Sequence, residues 1–223
     1  CRLGLATRGN TALDLADVRW AVDEGIGYLN WCGHDDGMSA AIRDMGRRRS
    51  EVVVAWQMSA RTADEATTAL ESALATLGTA SIDIVTFYYV ESRPEWARLR
   101  EPNGAYDAME RAREAGKVRM LGLTSHQRRM AADILDAPGR PLDMLMLRYN
   151  AAHRGAEHEV FPTTDRLLAP FVAYTCLRWG ELMKPTPDDP SGWEPPRAPE
   201  WYRYALANPA VSVALMAPNG VDE

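Results

Sequence analysis

Several large classes of protein are excluded by what this sequence lacks. No apolar run approaches the roughly 20 residues of a membrane-spanning helix, and no signal-peptide pattern opens the chain. No membrane partner and a cytoplasmic setting are therefore expected. Cysteine is scarce. Cys1, Cys32 and Cys176 are too few and too scattered for a disulfide framework or a zinc knuckle. His34, Asp35 and Asp36 lack the spacing of a preorganised metal-binding helix pair, so no metal is expected. No Lys/Arg run is dense enough to track phosphates, and 31 acidic against 25 basic residues leave a formal net charge of -6. Nucleic acid is therefore not an expected partner. The glycine-rich fingerprint of a dinucleotide-binding open sheet is also missing after the first strand candidate.

What is present is alternation. Of the 223 residues, 46% are hydrophobic, enough for a sizeable core. Near-continuous apolar runs fall at 2–7, 26–31, 51–58, 82–90, 118–124, 142–149, 171–175 and 211–216, as expected of parallel strands buried on both faces. Amphipathic segments lie between them. Segment 14–24 carries Leu15, Val18, Ala21 and Val22 on one stripe. Segment 62–77 opens T-x-x-E, a capping box. Segment 104–115 stops at Gly116. Further helices are expected at 126–137 and 199–208, with weaker ones after Gly37 and near Thr163. Each strand is thus followed by a helix about eight times without a break. That pattern predicts a single-domain α/β protein over 1–223, a (β/α)₈ TIM barrel, with a doubly wound sheet as runner-up. The Pro-rich stretch 184–199 reads as a surface loop between strand seven and its helix.

A barrel of this kind builds its pocket from the C-terminal ends of its strands. Those ends supply Thr7 and Arg8, Asn30 to Asp36, Gln57, Tyr88 and Tyr89, Ser125 and His126, Arg148 to Asn150, Tyr174 and Arg178. The mouth is polar, aromatic and partly cationic, which suits an anionic or hydroxyl-rich small molecule. Asp35 or His34 is a candidate general base, against which Asp36 reads as the N-cap of the helix after Gly37. Tyr88 is either a proton donor or a buried structural phenol. His126 either acts at the site or caps the next helix. Trp31 is a candidate for ring stacking, whereas Cys32 has no evident base partner.

Several phrases then resemble the aldo-keto reductase family. IDIVTFYYV (82–90) resembles its strand four, and GKVRMLGLTSHQ (116–127) its strand five. LRYNAAHRGAE (147–157), FVAYTCLRWGEL (171–182) and YALANPAVSVALMAPNG (204–220) resemble strands six to eight, in family order. The resemblance implies a (β/α)₈ barrel that binds NADP(H) at its C-terminal rim and reduces carbonyl compounds. The family's Tyr donates a proton to the carbonyl oxygen, Lys and Asp ease proton loss from that Tyr, and a His orients the substrate. In this chain the Asp position holds Asn30, the Tyr position Asp35, the Lys position Gln57 and the His position Tyr88. Asp and Lys are replaced together, which avoids leaving one buried ion uncompensated.

For the cofactor, the resemblance points to Thr124 and Ser125 at the nicotinamide amide, Tyr174 against its ring and Leu177 by the diphosphate. Met146 stands where the family has a Gln. The leading expectation is NADP(H)-dependent reduction of a small polar carbonyl or sugar-like substrate at a non-standard site. Asn30, Asp35, Gln57, Tyr88 and His34 are its candidate catalytic residues, and Arg8, Trp31, His126, Arg148 and Asn150 its candidate substrate contacts. The alternatives are a non-redox lyase, isomerase or hydrolase using Asp35, His34 or His126, and a non-catalytic ligand-binding relative. Nothing in the sequence chooses an oligomeric state.

Overall fold

Eight short strands, each apolar on both faces, close on one another because no face of the sheet can be left to water. In the computed structural model, which describes residues 1–7 and 13–221, they are β1 (Leu3–Ala6), β2 (Tyr28–Trp31), β3 (Val53–Met58), β4 (Ile82–Phe87), β5 (Val118–Ser125), β6 (Met144–Arg148), β7 (Phe171–Tyr174) and β8 (Val213–Met216). All neighbours are parallel and the order is sequential, β8 returning to β1. The eight-fold alternation therefore resolves as the barrel, a (β/α)₈ fold.

The pleat divides each strand between two cores. Outward residues such as Leu29, Val54, Val85, Phe87, Leu123 and Leu147 pack under the helices and are fully buried. Truncating one of these to Ala is expected to cost about 2–5 kcal/mol. Inward residues include Ala6, Tyr28, Ala55, Ile84, Met144, Met146, Val172 and Tyr174, which fill the barrel itself. Gly122 is one place where only glycine fits, because a Cβ there would run into the Met144 sulfur. The interior is thus packed from below and opens only at the C-terminal end.

Helices cover the outside: α1 (Leu15–Asp23), α2 (Gly37–Asp44), α3 (Ala63–Leu77), α4 (Arg93–Leu99), α5 (Ala105–Glu114), α6 (Arg128–Leu135), α7 (Ala156–Glu159), α8 (Phe161–Leu167) and α9 (Ala198–Ala207). The T-x-x-E signature forms its capping box, with Thr62 and Glu65 bonded reciprocally at the start of α3. Asp36 is the N-cap of α2, sharing a second capping box with Ser39. Four pieces depart from the sequence expectation: α4, α7 and the 3₁₀ turns over Gly46–Glu51 and Glu181–Met183. Each is short; α4 buries only Trp96 and Leu99 and the 3₁₀ turns bury nothing, so no periodic stripe announces them. Among the described residues, no helix is long and apolar enough to cross a membrane, and no cluster of three His, Cys, Asp or Glu can hold a metal.

Candidate active site

Where the inward face of each strand reaches its C-terminal end, the packed interior gives way to a cavity of about 680 Å³, within the range of small-molecule sites. Asn30, Gln57, Thr124, Met146 and Tyr174 contribute to its wall from five different strands. Thr7, Cys32, Tyr88, Tyr89, Thr175 and Leu177 complete its rim. Tyr89, Thr175 and Trp179, all lining residues, have left-handed backbone (φ 45°, 58° and 55°). Such conformations cost about 1–3 kcal/mol each in a non-glycine residue and concentrate at functional sites.

One side of this wall is polar but uncharged. The Gln57 amide touches two sulfurs: its Nε2 donates toward Met146 Sδ and its Oε1 accepts from Cys32 Sγ, both at 3.8 Å. Sulfur is a weak partner, so the amide keeps hydrogen-bonding capacity for a ligand. Asn30 Oδ1, Thr7 Oγ1 and Thr124 Oγ1 are buried without a hydrogen-bond partner. Leaving such groups unpaired costs about 1–3 kcal/mol each, which a ligand with matching polar groups would offset. Burial, then the neighbouring Tyr89 ring 4.2 Å away, pushes the Tyr88 phenol up to about 12. No Lys or Arg among the described lining residues stands by to draw it down. Burial likewise raises Tyr174, whose hydroxyl donates to the Ser125 carbonyl at 3.1 Å.

A nicotinamide fits this donor set. The Thr124 hydroxyl supplies an unsatisfied polar atom for a carboxamide, the Tyr174 ring an aromatic surface, and Leu177 an apolar contact in the adjoining rim.

The other sequence candidates lie elsewhere. After Trp31 the chain turns at Gly33 (φ 93°), and the Trp31 indole closes the turn by donating to the His34 carbonyl at 2.7 Å. Trp31 is 1% exposed and packs on Trp56, so it is a core residue with no face for a ligand. His34 and Asp35 are turned outward into solvent. The Asp35 carboxylate, 77% exposed, accepts from Ser39 Oγ and faces Arg43 at 3.7 Å. Neither lines the cavity. Ser125 sits behind the wall, its Oγ accepting from the Gln127 amide at 3.0 Å. His126 does not cap α6, where Gln127 holds the N-cap position without a side-chain bond. Its ring instead stacks on Tyr89 at 4.7 Å and its Nδ1 meets Glu91 at 3.1 Å. Asn150 is buried and braces a loop, donating to the Thr175 carbonyl and accepting from the Ala152 amide. Arg148 stands beside the rim with its guanidinium 5.1 Å from the Trp179 ring. Arg8 lies outside the described residues.

Trp179 and Trp20 line the cavity without having been singled out in the sequence. A signal for both was there. Trp20 falls off the apolar stripe of α1 and is 52% exposed, and Trp179 directly precedes Gly180 in the loop after β7 and is 63% exposed. Two exposed tryptophans that share one cavity wall form an apolar patch of the kind that attends ligand-binding grooves.

Comparison with known proteins adds an independent line. Residues 6–217 match the Aldo/keto reductase family. No curated protein matches the chain. Among solved structures, an aldo-keto reductase from Bacillus halodurans in its holo form superposes with a TM-score of 0.73 at 17% identity, covering 98% of this chain and 83% of that one. A thermostable aldo-keto reductase in complex with the inhibitor epalrestat gives 0.76 at 17% identity, covering 100% and 86%. At that identity the two structures share the fold.

Proposed function

Because the chain belongs to the aldo/keto reductase family, we propose that it is an oxidoreductase that reduces a small polar carbonyl compound with NADP(H), at a site where neutral amides replace the family's charged pair. The observation that carries this reading is the convergence of Asn30, Gln57, Tyr88, Thr124, Tyr174 and Leu177 on one cavity at the barrel mouth. A reduced nicotinamide, when bound, supplies hydride to the carbonyl carbon. Thr124 and Tyr174 would hold and orient its amide-bearing ring. Tyr88 donates its phenolic proton to the carbonyl oxygen as that oxygen becomes an alkoxide, and water returns a proton to the phenol. The Gln57 and Asn30 amides orient the substrate through hydrogen bonds that their present partners leave available.

The high phenol affinity for its proton has a direction. Tyr88 stays protonated through the neutral range, so the proton-donor form needed for reduction is populated while the phenolate needed for alcohol oxidation is scarce. The same property supports a second reading, a ligand-binding relative without turnover, because no lining cation among the described residues helps Tyr88 release the proton. A non-redox acid/base enzyme is less well supported, since His34, Asp35 and His126 all lie off the cavity wall.

The test is an NADPH titration followed by tryptophan fluorescence and thermal shift. Saturable quenching with a raised melting temperature is expected. Absence of both at millimolar NADPH would overturn the cofactor assignment.

A further inference from the structure

Two consecutive tyrosines in an extended chain would not both face the mouth, because successive side chains of a strand point to opposite faces. Phe87, the last residue of β4, packs outward under the helices, and Tyr88 turns inward to the cavity. An extended Tyr89 would follow Phe87 outward. Its left-handed backbone (φ 45°) instead brings its ring beside Tyr88, 4.2 Å away, so that both line the cavity. A tyrosine keeps that conformation only where its surroundings over-determine it.

Arg61, in the loop between β3 and α3, supplies much of that constraint. Its Nη2 donates to the Tyr88 carbonyl at 2.8 Å and, more weakly, to the Tyr89 carbonyl at 3.5 Å. Its Nη1 donates to the Ser59 and Ala60 carbonyls, and its Nε to Glu95 Oε1 at 3.0 Å. One guanidinium thus ties the end of β3 to the turn after β4 and to α4. A planar fork of five N–H donors can span these acceptors, whereas a compact ammonium cannot. The base of the fork is itself fixed. The Arg61 amide donates to Glu65, the capping carboxylate of α3, and its carbonyl accepts from the Ala105 amide.

The turn is held from its other side as well. Glu95 Oε2 accepts from the Glu91 amide at 2.9 Å, and Glu91 Oε1 accepts from the His126 amide at 2.9 Å. The His126 ring meets the same Glu91 oxygen and stacks on Tyr89. The circuit from Arg61 through Glu95, Glu91 and His126 therefore closes on the turn where it starts.

We propose that Arg61 is a positioning residue: with Glu95 it clamps the Tyr88–Tyr89 turn and fixes the Tyr88 hydroxyl in the cavity. Arg61 lines no part of that cavity, so it acts on the reaction only through the turn. Its effect on turnover rests on the proton-donor role proposed above for Tyr88; its effect on the surroundings of the phenol does not.

The experiment compares wild type, Arg61→Met and Glu95→Gln by two readouts. One is single-turnover aldehyde reduction by NADPH-loaded protein, with NADPH affinity measured alongside. The other is the Tyr88 signal in ¹³Cζ-tyrosine NMR, assigned with Tyr88→Phe and followed from neutral pH to about pH 10.5, just past the ordinary phenol value. In wild type the phenol stays protonated over that range. In Arg61→Met the released turn exposes it, so its titration should move down toward the ordinary value. The single-turnover rate should fall about tenfold or more with NADPH affinity unchanged. Glu95→Gln is isosteric and keeps the test valid if Arg61→Met misfolds; it should move both readouts the same way, by less. A Tyr88 titration unchanged in the folded variants would overturn the clamp. So would a full wild-type rate in those variants. If the wild type reduces no aldehyde, the redox reading fails, and the titration alone still decides the clamp.

Discussion

The two sides of the barrel mouth solve the problem of buried polarity in opposite ways. Across β2, β3 and the end of β4, the wall has Asn30, Gln57 and Tyr88, hydrogen-bonding groups without formal charge. Across β6 and β7, Arg148 lies against the Trp179 ring with its Nε buried and unpartnered, in a chain whose net charge is -6. An amide pair needs no counter-ion and tolerates weak sulfur contacts, as Gln57 shows. The buried, unpartnered Arg148 Nε costs stability that an acceptor on a ligand would offset. The proposed reading sets carbonyl reduction on the neutral amide wall, while the β6–β7 side keeps an unspent charged donor.

The largest expected effect comes from putting charge back on the neutral wall. Asn30→Asp alone places a carboxylate at a position 2% exposed with no lysine opposite, and is expected to destabilise the fold by about 3–5 kcal/mol in urea unfolding. Asn30→Asp with Gln57→Lys should recover much of that loss, because each ion then has its partner. Additive losses in the double variant would show that the two positions are not coupled across the β2–β3 pair.

The pH dependence is the next sharpest contrast. With the Tyr88 phenol raised to about 12, the acid form persists across the neutral and mildly alkaline range. Carbonyl reduction should therefore show no loss from phenol ionisation below about pH 10, where an unperturbed phenol titrates. Oxidation of the corresponding alcohol needs the phenolate and should be far slower throughout that range. Comparable rates in both directions near neutral pH would contradict the assignment of Tyr88 as an acid.

On the cationic side the effects are smaller. The His153 imidazole should titrate below its ordinary value, followed by its ring-proton shifts in NMR. Its protonation adds a positive charge in the field of Arg148, Arg178 and Arg128, so Arg148→Gln should raise the midpoint. A midpoint unmoved in folded Arg148→Gln would show that Arg148 does not act on His153 and that burial, the first cause, dominates. Smallest of all, Asp35→Asn should leave carbonyl reduction unchanged within error, since this carboxylate is in solvent and off the wall. Loss of activity there would favour the acid/base alternative.

That last case marks where the sequence stops being readable. The strands were legible because residues such as Val54, Val85 and Leu145 are buried on a barrel's outer face while their neighbours fill its interior. The capping boxes at Asp36 and Thr62 were legible because the signal is local. Asn30, Gln57 and Thr124 line the cavity at the mouth, because strand ends carry their direction with them. Asp35 was aligned by its distance from the strand, and distance says nothing about direction once Gly33 turns the chain outward. Trp31 shows the same limit, because only the fold reveals that its indole closes that turn from inside the core. The reach of Gln57 across the barrel to Met146 depends on two strands far apart in sequence, and no local pattern records it.

The central claim is that a neutral wall still performs carbonyl reduction, with Tyr88 as the proton donor. The most direct measurement is single-turnover reduction of a panel of aldehydes and keto acids by NADPH-loaded protein, wild type against Tyr88→Phe. A loss of about 10²-fold or more in the reduction step, with NADPH affinity unchanged, is expected for removal of a general acid. Reduction by Tyr88→Phe at the wild-type rate would contradict the account.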